Sequence, residues 1–276
     1  MLVDFHIHST ASDGTIPPGE LAVRTRFLRA AALTDHDNTG GLAEWPGVKG
    51  IELSVEPGEG FDRFHLLGLG IDPGNASLRG LLERIQAGRD ERNRRILENF
   101  RRAGIEISPD ELSAYAKGKV VARPHIAAWL VDRGYVQTRA EAFAVYLEKS
   151  SPPATRCYET RYRPTQAEAF AAIHAAGGLC IMAHPKFWRD AWKTSAPDFE
   201  RAERELAALK ERGLDGIEAF YSANTPQENA RFAEIAQRLG YLASAGSDFH
   251  GANKPGIELG IDVPERLVAP LLERLG

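Results

Sequence analysis

Short apolar runs alternate with amphipathic, end-capped segments in two blocks of this chain, and that alternation leaves few folds open. In the first block, Leu2 to His8 reads as a strand and Pro17 to Arg29 as a helix opened by prolines. Ala30 to Leu33 then reads as a strand ending at Thr34-Asp35-His36-Asp37. Gly50 to Val55 and Phe64 to Ile71 read as two more strands. The second block opens on the capping box Thr165-Gln166-Ala167-Glu168, whose helix runs to Gly177-Gly178. Strand Leu179 to Ala183 ends at His184-Pro185, and a charged helix from about Asp198 to Arg212 leads to strand Gly216 to Tyr221. A further capping box, Thr225 to Glu228, begins a helix stopped by Gly240, and strand Tyr241 to Ala245 follows. This pattern implies an α/β fold with a mostly parallel sheet, whose functional groups gather at the carboxyl ends of the strands.

Residues 75–162, between the blocks, have a different texture. Leu78, Leu81, Leu82, Ile85, Ile96, Leu97 and Phe100 fall near helical spacing, and Ile126 to Val131 suggests a further short helix. The expected organisation is a catalytic barrel formed by 1–74 and 163–276, interrupted by a helical, substrate-capping insertion over 75–162. The first insertion helix carries Arg79, Arg84, Arg89, Arg92, Arg94, Arg95, Arg101 and Arg102 among Glu83, Asp90, Glu91 and Glu98. It reads as a solvated face with i,i+4 ion pairs, or as a basic wall over an anionic substrate.

Composition removes several classes. At 276 residues and 43% hydrophobic the chain can bury a sizeable core. Its net charge of -4 gives no whole-protein field for nucleic acid or a membrane surface. Cys157 and Cys180 lack zinc-ribbon or redox spacing, so a reducing, cytoplasmic setting is expected. No secretory signal pattern opens the chain, and no apolar stretch approaches the ~20 residues of a membrane helix.

Chemistry concentrates in the histidines. Of the 8 histidines, His6, His8, His36, His65, His184 and His250 fall at or near strand ends. His125 lies in an Arg-Pro-His turn and His174 within a helix, where packing or surface exposure accounts for it. Residues two apart on a strand share a face, so His6 can point with His8 and Asp248 with His250. Imidazole nitrogen mixed with carboxylate oxygen suits Mn²⁺, Fe²⁺ or Zn²⁺ better than Ca²⁺ or Mg²⁺. Cations would also relieve the cost of desolvating several carboxylates together.

The segments FHIHS, LTDHD, GIELS, AHP and GSDFH, in this order, resemble the motifs of the PHP (polymerase and histidinol phosphatase) family. The intervening block resembles the insertion of the branch that acts on nucleotides and short RNA. The resemblance implies a distorted seven-stranded (β/α) barrel with two to three divalent ions, Mn, Fe or Zn. It implies a first metal held by His6, His8, Glu52 and Asp248, and a second held by Glu52, His65 and His184. A third would take Asp13, His36 and His250, although Ser12-Asp13-Gly14 is also an ordinary turn and some relatives place a histidine there. Asp4, Asp35 and Asp37 would support these ligands, and Glu218 reads as a supporting or substrate-binding group rather than a ligand.

Such a cluster lowers the pKa of a bound water from 15.7 to about 7, so a hydroxide held by Glu52, His65 and His184 would attack a phosphate ester in line. Arg123, His125 and Lys186 are the candidates to grip the substrate, Arg through its planar fork and His125 as phosphate ligand or proton donor. Phe187, Trp188 and Tyr221 read as core residues or as platforms for a base. The expected activity is hydrolysis of a nucleotide phosphate ester, foremost the 3′-phosphate of a 3′,5′-bisphosphate nucleoside such as pAp. A 5′→3′ exoribonuclease acting on short RNA is the alternative. Histidinol phosphate phosphatase, a non-catalytic PHP module and amide hydrolysis stand further off. No membrane and no obligate protein partner are expected.

Overall fold

A computed structural model of the protein describes residues 1–56, 58, 61–115, 121–188 and 197–276. The chain divides into two compact units, Met1–Leu82 with Pro164–Gly276, and Glu83–Arg163. The order of elements is β1 (Leu2–Ile7), α1 (Pro18–Arg24), β2 (Ala30–Leu33), β3 (Val48–Val55), β4 (Phe64–Leu69) and α2 (Ala76–Arg102). Then come α3 (Pro109–Tyr115), α4 (Arg123–Asp132), α5 (Arg139–Ala142) and α6 (Gln166–Ala175). The chain finishes with β5 (Leu179–Met182), α7 (Phe199–Lys210), β6 (Gly216–Tyr221), α8 (Pro226–Leu239), β7 (Leu242–Gly246), β8 (Ile261–Asp262) and α9 (Glu265–Leu275). The division falls inside α2, after Leu82, whereas the sequence changes texture at Asn75.

The first unit is an α/β barrel-like sheet that nearly closes. Its strands run in the order β7-β6-β5-β4-β3-β2-β1-β8. The seam is made by the chain just beyond β7, where the Asp248 amide donates to the His6 carbonyl at 2.9 Å and the His8 amide to the Phe249 carbonyl at 2.9 Å. The sheet departs from the parallel expectation around β4, which runs antiparallel to both β3 and β5. The physical reason is the short connection from β3 to β4, which reverses the chain without the crossover helix that a parallel pair requires. An eighth strand, β8, adds antiparallel to the start of β1, beyond the expected seven. Its two residues are too few to show a period, and Pro270 within α9 hides the C-terminal helix in the same way.

Elsewhere local chemistry explains the elements. Thr165 and Thr225 each accept the backbone N–H three residues on, from Glu168 and Glu228, whose carboxylates reach back to the cap. α8 ends at Gly240, whose φ of 65° is the left-handed cap that lacks a Cβ penalty. Along β1, Val3, Phe5 and Ile7 alternate with Asp4 and His6, and all five are fully buried. Each fully buried apolar side chain of this size stabilises by ~1.5–3 kcal/mol. The burial that supports the fold therefore also removes His6 from water.

The second unit is helical and has its own core, with Ile96, Phe100, Leu112, Ile126, Trp129, Leu130 and Leu147 packed together. Among the described residues no helix is long and apolar enough to cross a membrane.

Candidate metal centre

The strand ends of the barrel bring all nine anticipated donors together: His6, His8, Asp13, His36, Glu52, His65, His184, Asp248 and His250. Glu52 of β3 is the hub. Its Oε2 faces His6 Nε2 at 3.3 Å, His8 Nε2 at 3.1 Å and His36 Nδ1 at 2.9 Å. Its Oε1 faces His65 Nδ1 at 2.8 Å and His184 Nε2 at 3.3 Å. One carboxylate thus addresses two groups of imidazoles, one through each oxygen.

Asp248 completes the first group. Its Oδ1 lies 3.5 Å from His6 Nε2 and 3.4 Å from His8 Nε2. Its Oδ2 is committed elsewhere, accepting from the Tyr221 hydroxyl at 2.9 Å and from Lys254. A further group gathers Asp13 with three rings: Asp13 Oδ1 lies 3.2 Å from His250 Nε2, and Oδ2 lies 3.9 Å from His36 Nε2. His8 closes this group, stacked on His250 with ring centroids 4.0 Å apart. His36 therefore belongs with Glu52 and His65 through one nitrogen and with Asp13 through the other, a sharing that the resemblance does not imply.

Supporting residues fix which nitrogen His6 and His250 present. Glu218, fully buried on β6, lies 3.0 Å from His6 Nδ1 through Oε1 and accepts the His184 backbone N–H at 2.6 Å through Oε2. His250 Nδ1 donates to the Asp248 carbonyl at 2.8 Å, leaving Nε2 for Asp13. A ring nitrogen that donates outward forces the other to carry the lone pair. Gly246 makes room for this arrangement, because a Cβ there would overlap Glu218 Oε1 and His6 Cβ.

Asp4 supports the site through the backbone. It accepts from the Ser247 amide at 2.9 Å, the Ser247 hydroxyl at 2.6 Å and the Gly260 amide at 2.9 Å, so it braces the loop that delivers Asp248. Burial pushes its carboxyl up to about 6, against the pull of those hydrogen bonds. Asp35 accepts from the Ser9 amide and hydroxyl, both at 2.7 Å, and from Ser12 at 2.6 Å, and so shapes the turn carrying Asp13.

Among the described residues, three non-glycine residues adopt left-handed backbone: Asp37 at φ 49°, His184 at φ 30° and Asp248 at φ 58°. His184 and Asp248 follow strands of this centre, and the Asp37 N–H donates to the Glu52 carbonyl at 2.9 Å. Such conformations cost about 1–3 kcal/mol each and persist where the surroundings enforce them.

The electrostatics fit cations. Burial works to raise the Glu52 carboxyl, yet His36, His6 and His65 prevail and hold it well below the usual carboxylate range. Burial works to lower His8, yet the facing carboxylates of Asp248 and Glu52 push it up to about 9. Most telling, His6 Nε2, His8 Nε2 and Glu52 Oε2 are sealed from solvent and have no hydrogen-bond partner. Buried polar atoms are rarely left so. Two imidazole nitrogens converging within 3.3 Å of one carboxylate oxygen match a divalent cation with mixed nitrogen and oxygen donors.

The remaining anticipated residues lie elsewhere. Lys186 donates to Glu228 at 2.7 Å and to the Ala223 carbonyl at 3.1 Å, so its charge is already paired. Arg123 and His125 belong to the helical unit. Arg123 Nη1 donates to the Leu147 carbonyl at 3.0 Å, and its guanidinium stacks on Tyr158 and Phe143. His125 Nδ1 accepts the Ala122 N–H at 3.0 Å. Tyr221 is buried and holds Asp248, so it is no base platform; Trp188 is also core, its indole donating to the Asp62 carbonyl at 3.1 Å. Phe187 is half-buried, edge-on to Tyr221. His174 pairs with Asp215 at 2.8 Å, outside the centre. Lys254 carried no signal in the sequence, since only the loop after Asp248 brings it near.

No family model matches the chain. It is 34% identical over 270 residues to a 3′,5′-nucleoside bisphosphate phosphatase of Chromobacterium violaceum, covering 94% of this chain and 90% of that one. It is 31% identical over 275 residues to the 5′-3′ exoribonuclease Rnm of Salmonella typhimurium, covering 94% and 88%. Among solved structures it resembles a candidate metal-dependent phosphoesterase from Bifidobacterium adolescentis. There the TM-score is 0.77 and the identity 30%, over 99% of this chain and 96% of that one. A nearly closed barrel with histidine and carboxylate donors at its strand ends defines the class of metal-dependent phosphoesterases. Within that class the chain belongs to the PHP (polymerase and histidinol phosphatase) family.

Proposed function

We propose that the protein hydrolyses the 3′-phosphate of nucleoside 3′,5′-bisphosphates such as pAp. The observation that carries the reading is the convergence of partnerless, buried His6 Nε2, His8 Nε2 and Glu52 Oε2, in a chain 34% identical to such a phosphatase along nearly its whole length. The donor set would hold two to three divalent ions, Mn, Fe or Zn: His6, His8, Glu52 and Asp248 one, Glu52, His65 and His184 a second, and Asp13, His36 and His250 a third. Bound cations of this kind acidify water and offset the charge on phosphate oxygens. The protein's own part is orientation. Glu218 sets the tautomer of His6, Tyr221 and Lys254 turn Asp248 so that Oδ1 faces the rings, and full burial keeps bulk water from His6 and Glu52.

The helical unit is assigned to the substrate, with Arg123 and His125 as its phosphate-directed groups. Lys186 would reach a substrate phosphate only by leaving Glu228. Two free, buried cysteines suit a reducing, cytoplasmic setting.

A second reading, 5′→3′ exoribonuclease, is favoured by similarity to Rnm at almost the same identity and coverage. Metal-reconstituted protein given pAp and short 5′-phosphorylated oligoribonucleotides separates the two. Release of inorganic phosphate from pAp supports the first, and mononucleotides from the oligomers support the second. Neither product, with metals bound, would sink both.

A further inference from the structure

Among the described residues, one further cluster of metal-type donors lies apart from the barrel centre: His174, Cys180 and Asp215, whose donor atoms all fall within 4.8 Å of one another. His174 stands in the last turn of α6, Cys180 near the start of β5, and Asp215 immediately before β6. His184 follows the other end of β5, so the two clusters occupy opposite ends of that strand. All three residues belong to the first unit.

Backbone pairing holds this cluster in place. The Asp215 N–H donates to the Cys180 carbonyl at 2.9 Å, and the Cys180 N–H donates to Asp215 Oδ2 at 2.8 Å. The same oxygen faces His174 Nε2 at 2.8 Å. The Cys180 thiol is fully buried and meets the Phe170 carbonyl at 3.9 Å, the outer limit of a sulfur hydrogen bond. His174 is exposed and Asp215 half-buried, so solvent reaches the cluster from the imidazole and carboxylate side. Burial, with the Asp215 charge, holds the thiol well above its usual range, which keeps it protonated until a cation displaces the proton.

Thiolate, imidazole and carboxylate together form a donor set that suits Zn²⁺, whereas Mg²⁺ and Ca²⁺ call for oxygen. Donors about 2.0–2.3 Å from a tetrahedral ion stand about 3.3–3.8 Å apart. The present spacings, from 2.8 Å to within 4.8 Å, bracket that edge.

We infer that His174, Cys180 and Asp215 form a second metal site, which takes one zinc-type divalent ion and ties α6 to β5 and β6 at the end of those strands away from the candidate centre. On binding, the Cys180 S–H bond breaks, its proton passes to solvent and the sulfur lone pair joins the ion, with water completing the coordination. The site is independent of the activity proposed above.

The test is titration of Co²⁺ into the full-length protein, beyond the amount that fills the barrel centre, with a phosphine reductant so that cysteine is the source of any thiolate. The barrel donors are nitrogen and oxygen, so a near-ultraviolet sulfur-to-cobalt charge-transfer band reports this site alone. The band is expected to appear, to be bleached by Zn²⁺ and to vanish in Cys180→Ser. It should persist in Cys157→Ser and in His8→Ala, whose barrel centre lacks a donor. His174→Ala should raise the Co²⁺ concentration at half-saturation by about tenfold or more, at least the loss that follows removal of a ligand's support. Because His174 is at the surface, this variant decides the site where circular dichroism finds Cys180→Ser unfolded. Absence of the band, its resistance to Zn²⁺, its survival in Cys180→Ser or its loss in Cys157→Ser or His8→Ala overturns the site, as does an unchanged midpoint in His174→Ala.

Discussion

Glu218 Oε1 lies 3.0 Å from His6 Nδ1, and this pairing turns the opposite nitrogen toward Glu52 and Asp248. The ring is fixed from behind by a carboxylate from a strand far away in sequence, so the donor and its support can be separated by mutation.

Glu218→Gln keeps the volume but removes the charge that favours an N–H at Nδ1. Metal affinity is expected to fall by about 10- to 100-fold, the usual range for the loss of such support. Competitive metal titration reads it. Unchanged affinity would mean that Glu218 serves only the His184 amide.

His8→Ala and Asp248→Ala are expected to abolish phosphoester turnover and to lower bound metal. Arg123→Ala should retain the metals while raising KM or lowering kcat. Metal analysis by mass spectrometry alongside kinetics distinguishes the two behaviours. Loss of metal from Arg123→Ala would contradict the division between donors and substrate grip.

Tyr221→Phe removes one of the two groups on Asp248 Oδ2 and leaves the ring in place. A buried hydrogen bond to a charged group is worth ~1.5–3 kcal/mol, so metal binding should weaken about tenfold or more with little change in fold. Circular dichroism and metal titration together check this.

Stability should respond to pH in opposite senses with and without cations. In the chelated protein, His8 is raised from 6.5 to about 9, so its contribution is fully present below pH 6.5 and lost as pH rises through 9. Cation binding requires unprotonated imidazoles and therefore strengthens over the same interval. The gain in Tm on metal addition is expected to grow from pH 6.5 to pH 9. A constant gain across that range would argue against His8 as a donor.

Gly246→Ala tests the space behind His6. Its Cβ would overlap both Glu218 and His6, so a loss of ~1–3 kcal/mol is expected from overpacking, accompanied by weaker metal binding. Thermal unfolding and metal titration measure the two effects.

The gathering of the candidate donors is legible in the sequence because their spacing is local. His6-Ile7-His8 and Asp248-Phe249-His250 need only the two-residue period of extended chain, and β6 was bounded as found, Gly216–Tyr221. The capping boxes at Thr165 and Thr225 were equally plain, since each is complete within four consecutive residues. What escaped depends on distant partners. Nothing near Tyr221 or Lys254 announces that both hold Asp248, and nothing near Arg92 marks it as buried where Arg94 lies in solvent. The reversal of β4 escaped because strand direction is set by the connection and not by the strand's own pattern.

The seam of the barrel also has a consequence for synthesis. Because Asp248 bonds to the His6 backbone and supplies the last oxygen of the first group, a nascent chain that has emerged only as far as α8 lacks both Asp248 and His250. The centre therefore cannot be completed while the chain is still being extended through β7. A chain released before Asp248, however much of its sheet has formed, would lack a donor in two of the groups.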